Sequence, residues 1–210
     1  MLVVCAGTAT DVGKTWVGAA VLAELRRRGR TVAARKPAQS FAVDDAPEGL
    51  DAAVLAAATG EPVDAVCPRE RSFPIAMAPP MAADALGLPS PSLDDLVDAI
   101  TWPDPVPDVC WVELVGGPRS PLADDGDGIG LTARLRPDRV VLVADAGLGT
   151  INAVVLSSAP FLELGLEPVV LLNRFDPAAD LHARNRAWLE PRCPGPVVVT
   201  ATAVADLLAG

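Results

Sequence analysis

The apolar run Leu2 to Ala6 leads into Gly7-Thr8-Ala9-Thr10-Asp11-Val12-Gly13-Lys14-Thr15, and a helical pattern follows. Strand, glycine-bearing loop and helix in this order let a chain present several main-chain N–H groups to one anion. Gly13 allows the main chain close to a phosphate, and the helix start adds its own free amides. Asp11, Val12, Gly13, Lys14, Thr15 and Trp16 are therefore candidate nucleotide contacts, and Thr10 beside them is a candidate catalytic residue with Lys14 and Lys36. The Lys14 ammonium can reach β- and γ-phosphates, and the Thr15 hydroxyl can ligate Mg²⁺. The first glycine falls at position 7, so the loop is one residue longer than the G-x-x-x-x-G-K-[ST] template.

The rest of the chain repeats the alternation. Short apolar runs bounded by polar, Gly or Pro residues predict strands near 2–6, 31–35, 109–114, 139–144, 168–172 and 196–200. Helical patterns lie near 14–28, 48–59, 92–101, 150–164, 178–190 and 202–209. Alternating strands and helices imply right-handed crossovers, a mostly parallel sheet and helices on both faces. The expected fold is a three-layer α/β domain of the phosphate-loop kind spanning 1–210, with its ligand at the carboxyl ends of the strands. Gly29, Gly60 and Gly165 stand where left-handed helix ends belong. Ser92 and Asp95 have capping-box spacing, and Pro160 should kink or split the helix over 150–164. The Pro-rich stretch 61–91 reads as a substrate-facing excursion with one short helix near 80–86. The stretch 118–130, with Asp124, Asp125 and Asp127 among glycines, reads as a solvated mobile loop, since the full Ca²⁺-loop pattern is absent.

Composition narrows the partners. A formal charge of −10 argues against a nucleic acid or an acidic membrane surface. A nucleotide must then be held by local lysines and main-chain dipoles. Half the residues are hydrophobic but only 4% aromatic, so Ala, Val and Leu must build the core. Cys5, Cys67, Cys110 and Cys193 show no C-x-x-C spacing and read as reduced thiols of a cytoplasmic protein. No signal-type N-terminus or membrane-length apolar run stands out. His182 is the only histidine, which makes a Ser-His-Asp triad or a His-based metal site improbable. Packing is the default for Trp16, Trp102, Trp111 and Trp188.

Chemistry-bearing residues gather where strands end. Lys36 closes the second strand before a proline that holds the chain extended, and with Lys14 would put two cations on a transferring phosphoryl group. Glu113 ends an apolar strand just before Gly116-Gly117, and Asp51 starts the second helix. With Thr15 they form an oxygen donor set of the kind Mg²⁺ prefers. Asp51 as a simple helix-start acid, favoured by the dipole, is the plain alternative. The Asn173 amide can read a nucleobase edge or merely form a turn before Arg174.

Gly-Thr-x-Thr-x-x-Gly-Lys-Thr followed by Lys36-Pro37-Ala38-Gln39-Ser40 resembles the dethiobiotin synthetases. The resemblance continues through Asp51, Ala76-Met77-Ala78-Pro79-Pro80, Val112-Glu113-Leu114-Val115-Gly116-Gly117, Leu148-Gly149-Thr150-Ile151-Asn152 and Leu172-Asn173. It implies an ATP- and Mg²⁺-dependent ligase closing a ureido ring on 7,8-diaminononanoate with CO₂ or bicarbonate. It assigns metal ligation to Thr15, Asp51 and Glu113, nucleotide contact to Gly116 and Asn173, charge stabilisation to Lys36 and substrate contact to Ser40. It also implies a homodimer in which Gly149, Thr150, Ile151 and Asn152 of one subunit hold the substrate's carboxylate tail in the other subunit's site. This chain departs from the family at Phe41 and Leu114, where glycine is usual, at Ala153, where histidine is usual, and at Pro118-Arg119. Leu114 and Phe41 are expected to reshape the acceptor pocket. A corrin-type amidoligase, a partition-type nucleotide switch and a paralogue without chemistry are the alternatives.

Overall fold

The structure is a computed structural model describing all 210 residues. In chain order its elements are β1 (Leu2–Gly7), α1 (Lys14–Arg27), β2 (Val32–Arg35), β3 (Gln39–Ser40), α2 (Asp51–Thr59), α3 (Val63–Val66), β4 (Ser72–Phe73), α4 (Pro79–Ala85) and α5 (Leu93–Asp98). There follow β5 (Val109–Glu113), β6 (Pro121–Ala123), β7 (Gly126–Asp127), α6 (Gly128–Leu135), β8 (Arg139–Asp145), α7 (Thr150–Glu163), β9 (Val169–Asn173), α8 (Asp180–Leu189), β10 (Val197–Val198) and α9 (Ala201–Ala209).

Six strands form one wholly parallel sheet in the order β10-β9-β8-β1-β5-β2. All six are those expected from the apolar runs. Period-two alternation sends successive side chains to opposite faces. Val3, Cys5, Trp111 and Val143 meet α1, α2 and α9 on one side. Val4, Ala6, Val112 and Leu142 meet α4, α5, α6 and α7 on the other, and Ala144, Val170 and Leu172 meet α7 and α8. Burial on both faces explains the continuous apolar strands. The chain leaves β1 toward β2, returns to β5 beside β1, then crosses to β8 on β1's other flank. This reversal opens a crevice above the carboxyl end of β1, where ligands of open α/β sheets bind.

Local signals hold at several ends. Gly29, Gly60 and Gly165 have φ of 81°, 79° and 75°. Ser92 and Asp95 form the reciprocal capping box, although α5 ends at Asp98 and not at 101. Pro160 does not split α7, which runs on to Glu163. Only the last turn lies beyond it, so little ladder is lost.

Two segments correct the sequence reading. Residues 61–91 hold more than one helix: α3, a 3₁₀ turn at Arg69–Arg71, β4 and then α4. β4 pairs in parallel with β3 through Gln39–Ser72 and Ser40–Phe73. The 118–130 stretch is an ordered hairpin of β6 and β7 running into α6, which sequence reasoning missed. Two glycines in four residues depress helix propensity there. The Asp127 carboxylate caps the Gly130 N–H, and burial of Ile129, Leu131 and Thr132 stabilises the helix. The tryptophans divide as well: Trp111 is core, Trp102 is half-buried under the Arg35 guanidinium, and Trp16 and Trp188 are exposed.

Candidate functional site

The loop between β1 and α1 is built around its glycines. A Cβ at Gly7 would meet Val12 Cγ2 at 2.8 Å, the Ala9 carbonyl at 2.9 Å and Lys14 Cδ at 2.9 Å, so no larger residue fits. Gly13 has φ 89° and precedes the first residue of α1. The Lys14 side chain folds back over the loop, and its ammonium donates to the Ala9 carbonyl at 2.9 Å. Burial, then repulsion from Lys36, lowers its pKa.

Behind the loop lies a charge-balanced cluster. Lys36 is 1% exposed, and its Nζ stands 2.6 Å from Asp51 Oδ2 and 2.8 Å from Glu113 Oε1. The Thr15 hydroxyl lies 2.6 Å from Asp51 Oδ1 and 2.8 Å from Glu113 Oε1. It has one proton to donate, so it serves one carboxylate at a time. Burial alone would drive the proton off Lys36, but Glu113 and Asp51 outweigh it and raise its pKa. Glu113 is 0% exposed; its burial, with Asp51 nearby, raises its pKa against the pull of Lys36 and Thr15. Asp51 is buried less completely, and its contacts to Lys36 and Thr15 overcome that burial and lower its pKa. Glu113 Oε2 is fully buried and has no partner.

Four of the residues singled out, Thr15, Lys36, Asp51 and Glu113, thus converge from four different elements. Gln39 was missed as a site-building residue. Its side-chain oxygen accepts from the Ala52 N–H and its nitrogen donates to Ser72, which fixes the start of α2 and hence Asp51. A polar residue opening a short strand just after Lys36-Pro37 was the available signal.

A cavity of about 880 Å³ opens over this cluster. Thr10, Gly13, Lys14, Thr15, Lys36, Asp51 and Gly116 line it, together with Phe41, Leu50, Met77, Pro79 and Val115. Gly116 has φ 53° and its loop packs against the phosphate loop. Ser40 also lines the cavity and donates its hydroxyl to the Met77 carbonyl.

Other candidates lie elsewhere. The Val12 side chain is in the core, whereas Asp11, at φ 57° and exposed, does line the cavity. Trp16 is 65% exposed and does not line the cavity. The Asn173 side chain is buried, and its nitrogen donates to the Val12 carbonyl at 2.9 Å, tying β9 to the loop. Gly149, Thr150, Ile151 and Asn152 start α7 outside this cavity. Leu148, Val155 and Leu156 beside them are exposed, but Val154 is buried within its own subunit. Phe41 lines the cavity as expected; Leu114 does not. Its side chain, one residue past Glu113, turns to the opposite face and fills the space beside Gly128. The expectation that it shapes the acceptor pocket fails because of strand alternation.

A glycine-built loop after the central strand, with lysines and carboxylates at neighbouring strand ends, defines a P-loop nucleotide-binding domain. A family model described as an AAA domain matches residues 2–187. The chain is 31% identical to the ATP-dependent dethiobiotin synthetase BioD of Rhodopirellula baltica, over 86% of this chain and 75% of that protein. It is 35% identical to BioD of Streptomyces coelicolor, over 87% and 75%. Among solved structures, a plasmid partition protein of Borrelia burgdorferi B31 bound to AMPPNP superposes with a TM-score of 0.52 at 12% identity, covering 99% of this chain and 88% of that one. That likeness concerns the fold alone. The chain belongs to the dethiobiotin synthetase family.

Proposed function

We propose that this chain is an ATP-dependent dethiobiotin synthase acting on 7,8-diaminononanoate and CO₂. The observation that carries the reading, beside family membership, is a buried Lys36–Glu113–Asp51–Thr15 cluster beside a cavity that Phe41, Leu50, Met77 and Pro79 also line. That lining suits a triphosphate against the charged residues and an aliphatic acceptor against the apolar ones. One acceptor amine, as its carbamate, attacks the γ-phosphorus and ADP leaves. The second amine then attacks the carbamoyl carbon, inorganic phosphate departs, and the ureido ring closes. No step requires histidine, since the substrate supplies its own nucleophiles. Lys14 and Lys36 act by holding negative charge at the transferring group.

Thr15, Asp51 and Glu113 fit Mg²⁺. They offer one hydroxyl and two carboxylates, all hard oxygen donors, and the unpartnered Glu113 Oε2 is a buried acceptor awaiting a cation. Bound Mg²⁺ would neutralise phosphate charge. Exposed Leu148, Val155 and Leu156 support a homodimer in which the start of α7 serves the neighbouring site. Reduced thiols and the absence of any helix long and apolar enough to cross a membrane accord with a cytoplasmic enzyme.

The deciding assay supplies ATP, bicarbonate and 7,8-diaminononanoate and looks for the ureido product. Folded protein that binds ATP yet forms none would reject the proposal. The partition-type reading predicts hydrolysis without acceptor, and the amidoligase reading predicts turnover with a carboxylate plus an amine donor. The paralogue reading loses one of its two supports, because Leu114 lies outside the cavity.

A further inference from the structure

The carboxylates expected to hold a divalent cation are already engaged. Lys36 Nζ sits 2.6 Å from Asp51 and 2.8 Å from Glu113, on the same carboxylate pair that the Thr15 hydroxyl contacts. Two lysines, Lys14 and Lys36, and two carboxylates, Asp51 and Glu113, make the cluster neutral without metal. We propose that Lys36 and a divalent cation compete for the Asp51–Glu113 pair, so that metal entry expels the Lys36 ammonium toward the phosphates. This rests on the magnesium part of the functional reading and not on the identity of the acceptor.

Two features favour the exchange. Glu113 Oε1 already meets both the ammonium and the Thr15 hydroxyl. Mg²⁺ sits about 2.0–2.1 Å from its ligands, and both lone pairs of Glu113 Oε1 are taken, so a cation there displaces one of the two donors. The Thr15 hydroxyl now aims its hydrogen at a carboxylate; as a metal ligand it must offer a lone pair, so it too must turn. Glu113 Oε2 remains buried and unpartnered, a site the lysine leaves unsatisfied.

The Lys36 main chain stays put during the exchange. Its N–H donates to the Val66 carbonyl at 2.7 Å, so only the side chain swings. Since Lys36 already borders the cavity with Lys14 and Thr15, the swing brings its charge to where a γ-phosphate would lie. Without a nucleotide, the displaced ammonium would be buried and unpaired, which is costly. Metal alone should therefore bind poorly, and metal with ATP should bind cooperatively. The lysine thus becomes available to the transferring group only when metal and triphosphate are both in place.

Mn²⁺ binding, read by electron paramagnetic resonance of the free ion in the absence of nucleotide, tests the competition. Lys36→Met is expected to bind Mn²⁺ at least about tenfold more tightly than the wild type, in the range typical of coupled sites. Equal or weaker binding by folded Lys36→Met would overturn the proposal. Should that variant not fold, the wild type decides through a crystal structure with Mn²⁺ and a non-hydrolysable ATP analogue. Lys36 Nζ beyond ion-pair distance of Asp51 Oδ2 supports the exchange; a retained pair beside bound metal refutes it. Failure of ureido formation with the exchange intact would fault the acceptor assignment instead.

Discussion

Placing at position 114 the glycine that the family resemblance implies looks from sequence like a repair of the active site; from the structure it should damage the core. The Leu114 side chain is 0% exposed and packs in the cluster that joins β5 to α5 and α6. A Cβ at Gly128 would lie 2.9 Å from Leu114 Cδ1 and 3.0 Å from the Pro118 carbonyl, so leucine and glycine fit each other. Leu→Ala at fully buried sites costs about 3–5 kcal/mol, counting lost transfer energy and the cavity left behind. Leu114→Gly adds roughly 1 kcal/mol of backbone entropy. In a chain of this length each kcal/mol lowers Tm by about 2–4 °C, so Leu114→Ala should fall by about 6–20 °C. Thermal unfolding of the wild type, Leu114→Ala and Leu114→Gly, paired with acceptor KM, gives the test. The expected result is a large loss of stability with KM within about twofold of the wild type at a temperature where the variants stay folded. A Tm within 2 °C of the wild type alongside a several-fold change in KM would show that the side chain faces the acceptor after all. Gly128→Ala should cost less in the Leu114→Ala background than in the wild type, because one of its two close contacts is gone.

Asn173→Ala removes the bond to the Val12 carbonyl, worth about 0.5–1.5 kcal/mol, and should weaken ATP and GTP equally in calorimetry; a loss confined to one base would return Asn173 to base reading. Phe41→Gly, in the cavity lining, should raise acceptor KM by about tenfold while leaving nucleotide affinity unchanged; the reverse pattern would place the acceptor elsewhere. The Cys67 thiol is pushed up to about 12 by burial, with Asp51 and Glu70 adding to the rise and Lys36 opposing it. At pH 8 it is therefore protonated and unreactive in the folded protein. Mass spectrometry after alkylation should find one label per chain, on half-exposed Cys193, and four labels in denaturant.

Much of this molecule can be read from its residues because parallel strands buried on both faces leave an unbroken apolar signature. All six strands of the main sheet were visible that way, as was the loop at Gly7 to Thr15. What escaped depends on contacts distant in sequence. Helix α6 has weak intrinsic propensity and exists because Asp127 caps it and Leu93 and Leu114 accept its apolar face. The β3–β4 pairing joins residues some 33 apart by only two pairs, too short to leave a periodic mark. Thr15, Lys36, Asp51 and Glu113 were each identifiable, but their mutual neutralisation was not. Charge pairing of that kind depends on which strand lies beside which. Asn173 was recognised as a strand-end polar residue, yet its attachment to Val12 spans 161 residues.

The placement of β1 has a consequence for how the protein is made. It is synthesised well before both its partners: β5 begins at Val109 and β8 at Arg139. At about 5–20 residues per second, β1 waits roughly 7–26 s for the second flank to be translated. Through that interval Leu2 to Ala6 is an unpaired apolar edge, open to chaperones or to another nascent chain. The phosphate loop can take its shape only after that wait, since the Thr8 N–H donates to the Val143 carbonyl. Nucleotide, by binding only the completed form, would draw late-folding molecules out of the aggregation-prone pool.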